Sequence, residues 1–182
     1  MGPLKAEAAV LALLSGSGHV LLVRKSCSVP SPWACDVALP GGHVDPGEDE
    51  VGAALREAWE EAGVPGDLVE VLCLAPLHAT SRGSIIVRPV IALARAPICP
   101  KPRSEEVDAA FWVRLEDAAG RPPRRLRHPR GFTVTGVELA GGLVLWGLTL
   151  RILTWLYSAL PLVLEARGGA CDEGPRNSGG RC

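Results

Sequence analysis

The sequence predicts an α/β (α+β) fold with a mixed sheet, and three observations carry that reading. Short β-prone runs recur through the chain, an acidic helix-like segment interrupts them at residues 49–62, and a long apolar segment follows near the C-terminus. Strands that alternate with helices bury their apolar faces together in a layered domain. A length of 182 residues suits one domain, assigned to residues 1–165, and a hydrophobic content of 47% is enough for its core.

Taken in order, residues 8–14 and 20–24 are two β-prone runs around Ser15-Gly16-Ser17-Gly18-His19, which reads as a hairpin. The first run is short, follows Glu7 and lacks a convincing cleavage site, so it is not read as a signal peptide and a cytoplasmic location is expected. Residues 37–39 form a short strand. Pro40-Gly41-Gly42 and Asp45-Pro46-Gly47 are turn formers. A helix starts near Asp49, where Glu48, Asp49 and Glu50 suit the positive end of the helix dipole. Val51, Ala54, Leu55, Ala58 and Ala62 give it a narrow apolar stripe, and Gly63 with Pro65-Gly66 stops it. Residues 68–74 and 85–94 read as strands and 97–102 as a loop. Ser104-Glu105-Glu106-Val107 leads into Phe111-Trp112-Val113, which returns to the sheet, and residues 115–119 open a short helix.

The segment 139–164 is nearly continuous in apolar residues and long enough to span a bilayer. Arg151 near its middle argues against a membrane span, and Gly141-Gly142 and Pro161 delimit a shorter helix. Trp146, Leu150, Leu153, Tyr157 and Leu160 recur at three- or four-residue intervals, as do Leu148, Ile152, Trp155 and Ala159. The expectation is a helix buried on more than one side, in the core or at a dimer interface. The glycine-rich tail, residues 166–182, is expected to be disordered.

Composition narrows the partners. The net charge is −1, and the basic run Arg121-Pro122-Pro123-Arg124-Arg125-Leu126-Arg127-His128-Pro129-Arg130 has no interleaved aromatics, so no nucleic-acid partner is expected. Lysine occurs only at positions 5, 25 and 101, glutamine is absent and Asn177 is the sole asparagine, a shortage of thermolabile amides that fits a thermophile. A GC-rich genome would also favour arginine. Six cysteines show no C-x-x-C pair and no zinc spacing, so they read as small buried residues or tail residues. In a hyperthermophile, intracellular disulfides are also open, though spacing cannot pair them. The four histidines form no metal pattern.

The chemistry concentrates in residues 42–64, GHVDPGEDEVGAALREAWEEAGV. Glu57 lies one helical turn from both Glu60 and Glu61, so three carboxylates project from neighbouring turns of one face. Such crowding destabilises a helix by a few tenths of a kcal/mol per pair unless a cation relieves it. Mg²⁺ suits that role, because it takes oxygen ligands from few carboxylates and fills the remaining positions with water and substrate phosphate. Arg56 beside the cluster is expected to pair with Glu48 or Glu60 and orient the ligands.

Gly42, Glu48, Arg56, Glu57, Ala58, Glu60, Glu61, Gly63 and Val64 resemble a complete Nudix box. The resemblance implies an α/β/α sandwich and hydrolysis of a nucleoside diphosphate linked to another group. It implies Mg²⁺ or Mn²⁺ held by Glu57, Glu60 and Glu61 with help from Glu48, and water attacking one phosphorus of the diphosphate. Glu60 or Glu61 is the candidate general base, with Glu106 a loop-borne alternative. Homodimers are common in that family, and the apolar C-terminal helix is a candidate interface.

Trp146-Gly147-Leu148-Thr149 resembles a late segment of the coenzyme A pyrophosphatase branch, and Leu21-Leu22-Val23-Arg24-Lys25-Ser26 before Leu39-Pro40-Gly41-Gly42 is similar to its upstream motif. The arginine and glycine which that branch places between the two upstream pieces are missing from residues 27–37, and Leu39 replaces the usual phenylalanine. ADP-ribose, dinucleoside polyphosphates and nucleoside triphosphates therefore stay open beside coenzyme A, as does a non-catalytic nucleotide-binding sensor. Arg24, Lys25, Arg82 and Arg88 are candidates to hold substrate phosphates, since arginine suits bidentate phosphate contacts. The basic run 121–130 is either a solvated loop or a receptor for an extra phosphate.

Overall fold

A computed structural model of the chain describes residues 5–80, 84–165 and 169–170. Its elements in order are β1 (Ala8–Leu14), β2 (His19–Lys25), β3 (Val37–Ala38), β4 (Gly41–His43), α1 (Glu50–Ala62), β5 (Val69–Leu74), β6 (His78–Ala79), β7 (Ile86–Ala94) and β8 (Val107–Arg114). They continue as α2 (Leu115–Ala119), β9 (Arg124–Arg127), β10 (Thr133–Glu138), β11 (Val144–Trp146), α3 (Gly147–Glu165) and β12 (Gly169–Ala170).

Nine of the strands form one mixed sheet. β1 lies at its centre, parallel to β7 and antiparallel to both β2 and β4, while β8 flanks β2 and β5 flanks β7. Successive side chains of a strand face opposite sides of a sheet, and here both sides are covered. Leu21 and Val23 pack under α1 with Ala53, Ala54, Ala58 and Ala62. Val20 and Leu22 pack with Leu115 of α2 and with Ile152, Leu153 and Leu156 of α3. Two-sided burial is why β1 and β2 read as continuous apolar runs rather than alternating ones. The result is the expected sandwich.

The α1 boundaries follow their capping residues. The Asp49 carboxylate accepts the Gly52 N–H at 2.7 Å, and Gly63 closes the helix at φ 67°. Alanine dominates the buried stripe, so the helix sits close to the sheet; Ala53 belongs to it, while Val51 and Leu55 are only half-buried.

Three expectations need correction. Gly41–His43 is a strand paired with β1 rather than part of a turn, because the absence of side chains on Gly41 and Gly42 lets two elements approach. A Cβ on Gly41 would lie 2.6 Å from the Val10 Cα, and one on Gly42 would lie 2.6 Å from the Glu57 Cδ. Arg124–Arg127, Thr133–Glu138 and Val144–Trp146 form a separate three-stranded sheet, β11-β10-β9, so part of the basic run is a strand and Val144–Trp146 is a strand rather than the start of the helix. Finally, α3 continues through Pro161 and is buried along one face only. Ile152, Leu153, Leu156, Ala159 and Val163 join the core, while Tyr157 and Leu164 are exposed. By length and composition it is the one helix among the described residues that could cross a membrane. Gly169–Ala170 pairs in parallel with β5; the other residues of the expected tail lie outside the described ones.

Candidate active site

The carboxylates of α1 meet the loop that precedes the helix. Arg56 is the hub of this meeting. Its Nε and Nη2 donate to the two carboxylate oxygens of Glu48, both at 3.1 Å, Nη1 donates to Glu57 Oε1 at 2.9 Å, and Nη2 donates to the His43 carbonyl at 3.0 Å. Glu60 Oε2 lies 3.6 Å from Nη1, and Asp45 Oδ2 lies 3.7 Å from Nη2. A planar guanidinium can grip a carboxylate with two parallel donors, which lysine cannot. Arg56 therefore binds loop 43–48 to the face of α1 that carries Glu57. Its pKa is pushed above its ordinary value, first by the Glu48 hydrogen bond, and the same contact holds Glu48 below the usual carboxylate value.

Glu61 occupies a different environment. Its side chain is buried at 5% exposure, Lys25 of β2 donates to Oε1, and the Gly41 N–H donates to Oε2 at 3.1 Å. Burial raises its pKa, an effect opposed by the charge and hydrogen bond of Lys25. The C-terminus of α1 is tied down as well. The Lys101 and Arg103 N–H groups donate to the Ala62 and Glu61 carbonyls at 3.0 and 3.3 Å, and the Arg103 guanidinium stacks on Trp59 at 4.1 Å. Glu60 is the open member of the trio, with a side chain 53% exposed.

The all-oxygen donor set on one helix face fits a hard divalent cation in its chemistry. Among the described residues, however, no three His, Cys, Asp or Glu side chains converge as a ready-made cage. Arg56 and Lys25 occupy oxygens of Glu48, Glu57 and Glu61 instead. Gly42 explains how Glu57 fits at all, because any side chain at residue 42 would overlap its carboxylate.

The residues expected to hold phosphate are placed differently. Lys25 is committed to Glu61, Arg24 faces Asp108 at 3.5 Å, and Arg88 donates to the Ala75 carbonyl at 2.7 Å. Arg82 lies outside the described residues. Glu106 is exposed in the turn before β8, next to Val107, which registers with Lys25. In the basic run, Arg121 pairs with Asp117 at 2.5 Å and Arg124 with Glu138. With Arg114 they line a cavity of about 750 Å³ that also contains His19, Phe111 and Leu143, and none of the α1 carboxylates. The Gly41 N–H contact to Glu61 was not anticipated; its only sequence signal was the glycine pair, read as a turn.

The NUDIX domain model matches residues 3–135. The uncharacterized Nudix hydrolase NudL of Photorhabdus laumondii is 40% identical over 101 residues, covering 54% of this chain and 52% of the relative. NudL of Yersinia pestis is 37% identical over 100 residues, covering 54% and 49%. The chain thus spans about half the length of the curated relatives it matches. Among solved structures, a C. elegans Ap4A hydrolase binary complex is 31% identical with a TM-score of 0.51, covering 61% of this chain and 82% of that one. The M. smegmatis Nudix hydrolase RenU is 28% identical at a TM-score of 0.51, covering 62% and 72%. A NUDIX hydrolase from Nitrosomonas europaea, 14% identical, matches the fold over 93% of this chain and 81% of its own at a TM-score of 0.56. With the family model covering most of the chain and the glutamates of α1 gathered around Arg56 and Lys25, the chain belongs to the Nudix family.

Proposed function

We propose that the protein is a metal-dependent hydrolase of the diphosphate bond in a nucleoside diphosphate linked to a second group. The observation that carries this reading is the placement of Glu57, Glu60 and Glu61 on one face of α1, with Arg56 drawing Glu48 towards them. Glu57, Glu60 and Glu61 with Glu48 are the residues to hold Mg²⁺ or Mn²⁺. When bound, the ion supplies charge neutralisation at the phosphate oxygens and a lowered pKa for the attacking water. Arg56 keeps Glu48 and Glu57 aligned, and Lys25 with the Gly41 N–H keeps Glu61 in place. Both Glu61 oxygens are engaged whereas Glu60 is open to water, which favours Glu60 over Glu61 as general base, through an oxygen that does not hold the ion, with the exposed Glu106 as the loop-borne alternative.

Coenzyme A or a derivative is the leading substrate, on the likeness of the Trp146-Gly147-Leu148-Thr149 segment to the coenzyme A branch. Similarity to an Ap4A hydrolase keeps dinucleoside polyphosphates beside it. The amide-poor composition supports a thermophilic source. The test is incubation of the purified protein at raised temperature with Mg²⁺ or Mn²⁺ and coenzyme A, ADP-ribose, Ap4A or a nucleoside triphosphate, with products separated by chromatography. Turnover of at least one, stopped by a chelator and abolished by Glu60→Gln, is expected. If none is cleaved and Glu60→Gln leaves nucleotide binding unchanged, the protein is a nucleotide sensor.

A further inference from the structure

Residues 26–36, between β2 and β3, form a loop braced at several points. Cys27 and Cys35 are joined by a disulfide, and the Cys27 N–H donates to Asp108 Oδ2 at 3.3 Å. Arg130 Nη1 donates to the Pro32 carbonyl at 2.7 Å, and Trp146 Nε1 donates to Asp36 Oδ1 at 3.1 Å. The buried His128 Nε2 sits 2.9 Å from the same oxygen. Within the loop, the Trp33 N–H donates to Ser31 Oγ at 3.2 Å and the Asp36 N–H to the Trp33 carbonyl at 3.0 Å. Cys35 sits at φ 67°, the one non-glycine residue with positive φ among those described, a conformation that needs such bracing.

What all this bracing presents is an exposed indole. Trp33 is 46% accessible. A single exposed aromatic is ordinary on a protein surface, and Trp59 of α1, 45% accessible, already carries the Arg103 guanidinium over its ring at 4.1 Å. Among the described residues, no ring or guanidinium stacks on Trp33 in that way. Its place is also particular. The loop leaves β2 at Lys25, which holds Glu61, and returns through β3 towards Gly41, whose N–H holds the same carboxylate. The Cys35 N–H donates to the Lys25 carbonyl at 3.2 Å, and two residues of chain reach at most about 7 Å. Trp33 therefore lies close along the chain to the end of β2 that supplies Lys25, the residue that reaches Glu61 of α1.

We propose that Trp33 is the stacking platform for the planar base of the nucleotide whose diphosphate lies at α1, with Arg130 beside it. The proposal rests on the hydrolase reading above and names how that site takes its substrate. Aromatic platforms bind bases through their faces, so the contact tolerates different bases. A loop fixed in advance spares the ordering cost on binding. The bracing by Cys27–Cys35, Arg130 and Asp36 is the means of that fixing.

The test uses the full chain, with ADP and inorganic diphosphate as probes in the presence of Mg²⁺. Trp33→Ala is expected to weaken ADP binding roughly 5- to 100-fold while diphosphate binding stays constant. Trp33→Phe restores most of the loss. ADP should quench tryptophan fluorescence in the parent protein and in Cys27→Ser/Cys35→Ser, with weaker affinity in the latter, and the quench should vanish in Trp33→Ala. Equal ADP affinity in the parent and Trp33→Ala, or an equal loss for ADP and diphosphate, overturns the platform. Absence of turnover with Trp33-dependent ADP binding intact would count against the hydrolase alone, and turnover unaffected by Trp33→Ala would count against the platform alone.

Discussion

Gly41 and Gly42 are adjacent in sequence, yet substituting alanine at each should damage different properties. At residue 42 the new Cβ would lie 2.6 Å from the Glu57 Cδ. That is roughly 1 Å short of ordinary carbon–carbon contact, and the obstacle is the end of a flexible side chain. Glu57 can swing away, so stability should hold or rise slightly, since replacing glycine in a strand gains about 0.5–1 kcal/mol in backbone entropy. A displacement of about 1 Å at a reacting constellation costs on the order of 100-fold in rate. At residue 41 the new Cβ would lie 2.6 Å from the Val10 Cα, in the backbone of β1, which cannot swing away. There the expected loss is about 1–3 kcal/mol of stability from overpacking. The assays are denaturant unfolding for both variants and kcat/KM on whichever substrate the parent cleaves. A Gly42→Ala enzyme with parental kcat/KM, or one destabilised as much as Gly41→Ala, would refute the reasoning that Gly42 exists to admit the Glu57 carboxylate.

Further predictions follow from the same contacts. Arg56→Lys removes the two-point grip on Glu48 together with the Glu57 bond, and activity titrated against Mg²⁺ should need a roughly 10- to 100-fold higher Mg²⁺ concentration for half-saturation, by analogy with outer-shell partners of metal ligands; an unchanged titration would show that the loop needs no such clamp. His78 is held below its ordinary value of 6.5 by burial and by the Arg151 charge, so the folded state binds fewer protons than the unfolded one. Its contribution to stability is present above pH 6.5 and lost as pH falls through the lowered pKa. Unfolding followed between pH 7 and pH 5 should thus show a downward slope towards acid that His78→Gln flattens, and an identical slope in the variant would reject the assignment. Closing the short loop between Cys27 and Cys35 should contribute about 2.5 kcal/mol by chain entropy, so Cys27→Ser/Cys35→Ser should unfold at a lower denaturant concentration. Coincident curves for parent and variant would show the cross-link to be neutral.

Local signals made α1 readable in advance. Asp49 caps it through its own carboxylate, Gly63 ends it in the left-handed conformation, and the glutamates share a face because of helical periodicity; none of this needs a distant residue. The hairpin of β1 and β2 and the short α2 were legible for the same reason. Residues 139–146 misled because apolar character alone does not separate a short buried strand from the start of a helix. Here Val144–Trp146 pairs with β10, a partner that only the folded chain brings alongside. The pairing of the cysteines was out of reach for a different reason. Cys27 and Cys35 come together because β2 and β3 pair and bring the two ends of their loop close, which spacing by itself could not reveal.

The sequence by itself determined the reactive inventory: three carboxylates one helical turn apart, an arginine beside them and two glycines before them, all specified by short-range geometry. Tertiary structure decided how each carboxylate is held. Glu61 is gripped by Lys25 from 36 residues away and by the Gly41 N–H from 20 residues away, while Glu60 stays open to water. The physical reason is that burial and charge neutralisation depend on which strands pack against α1, and that is set by the sheet as a whole. The same holds for Trp33, whose exposure follows from the bracing of its loop by β11 and by residues 128–130.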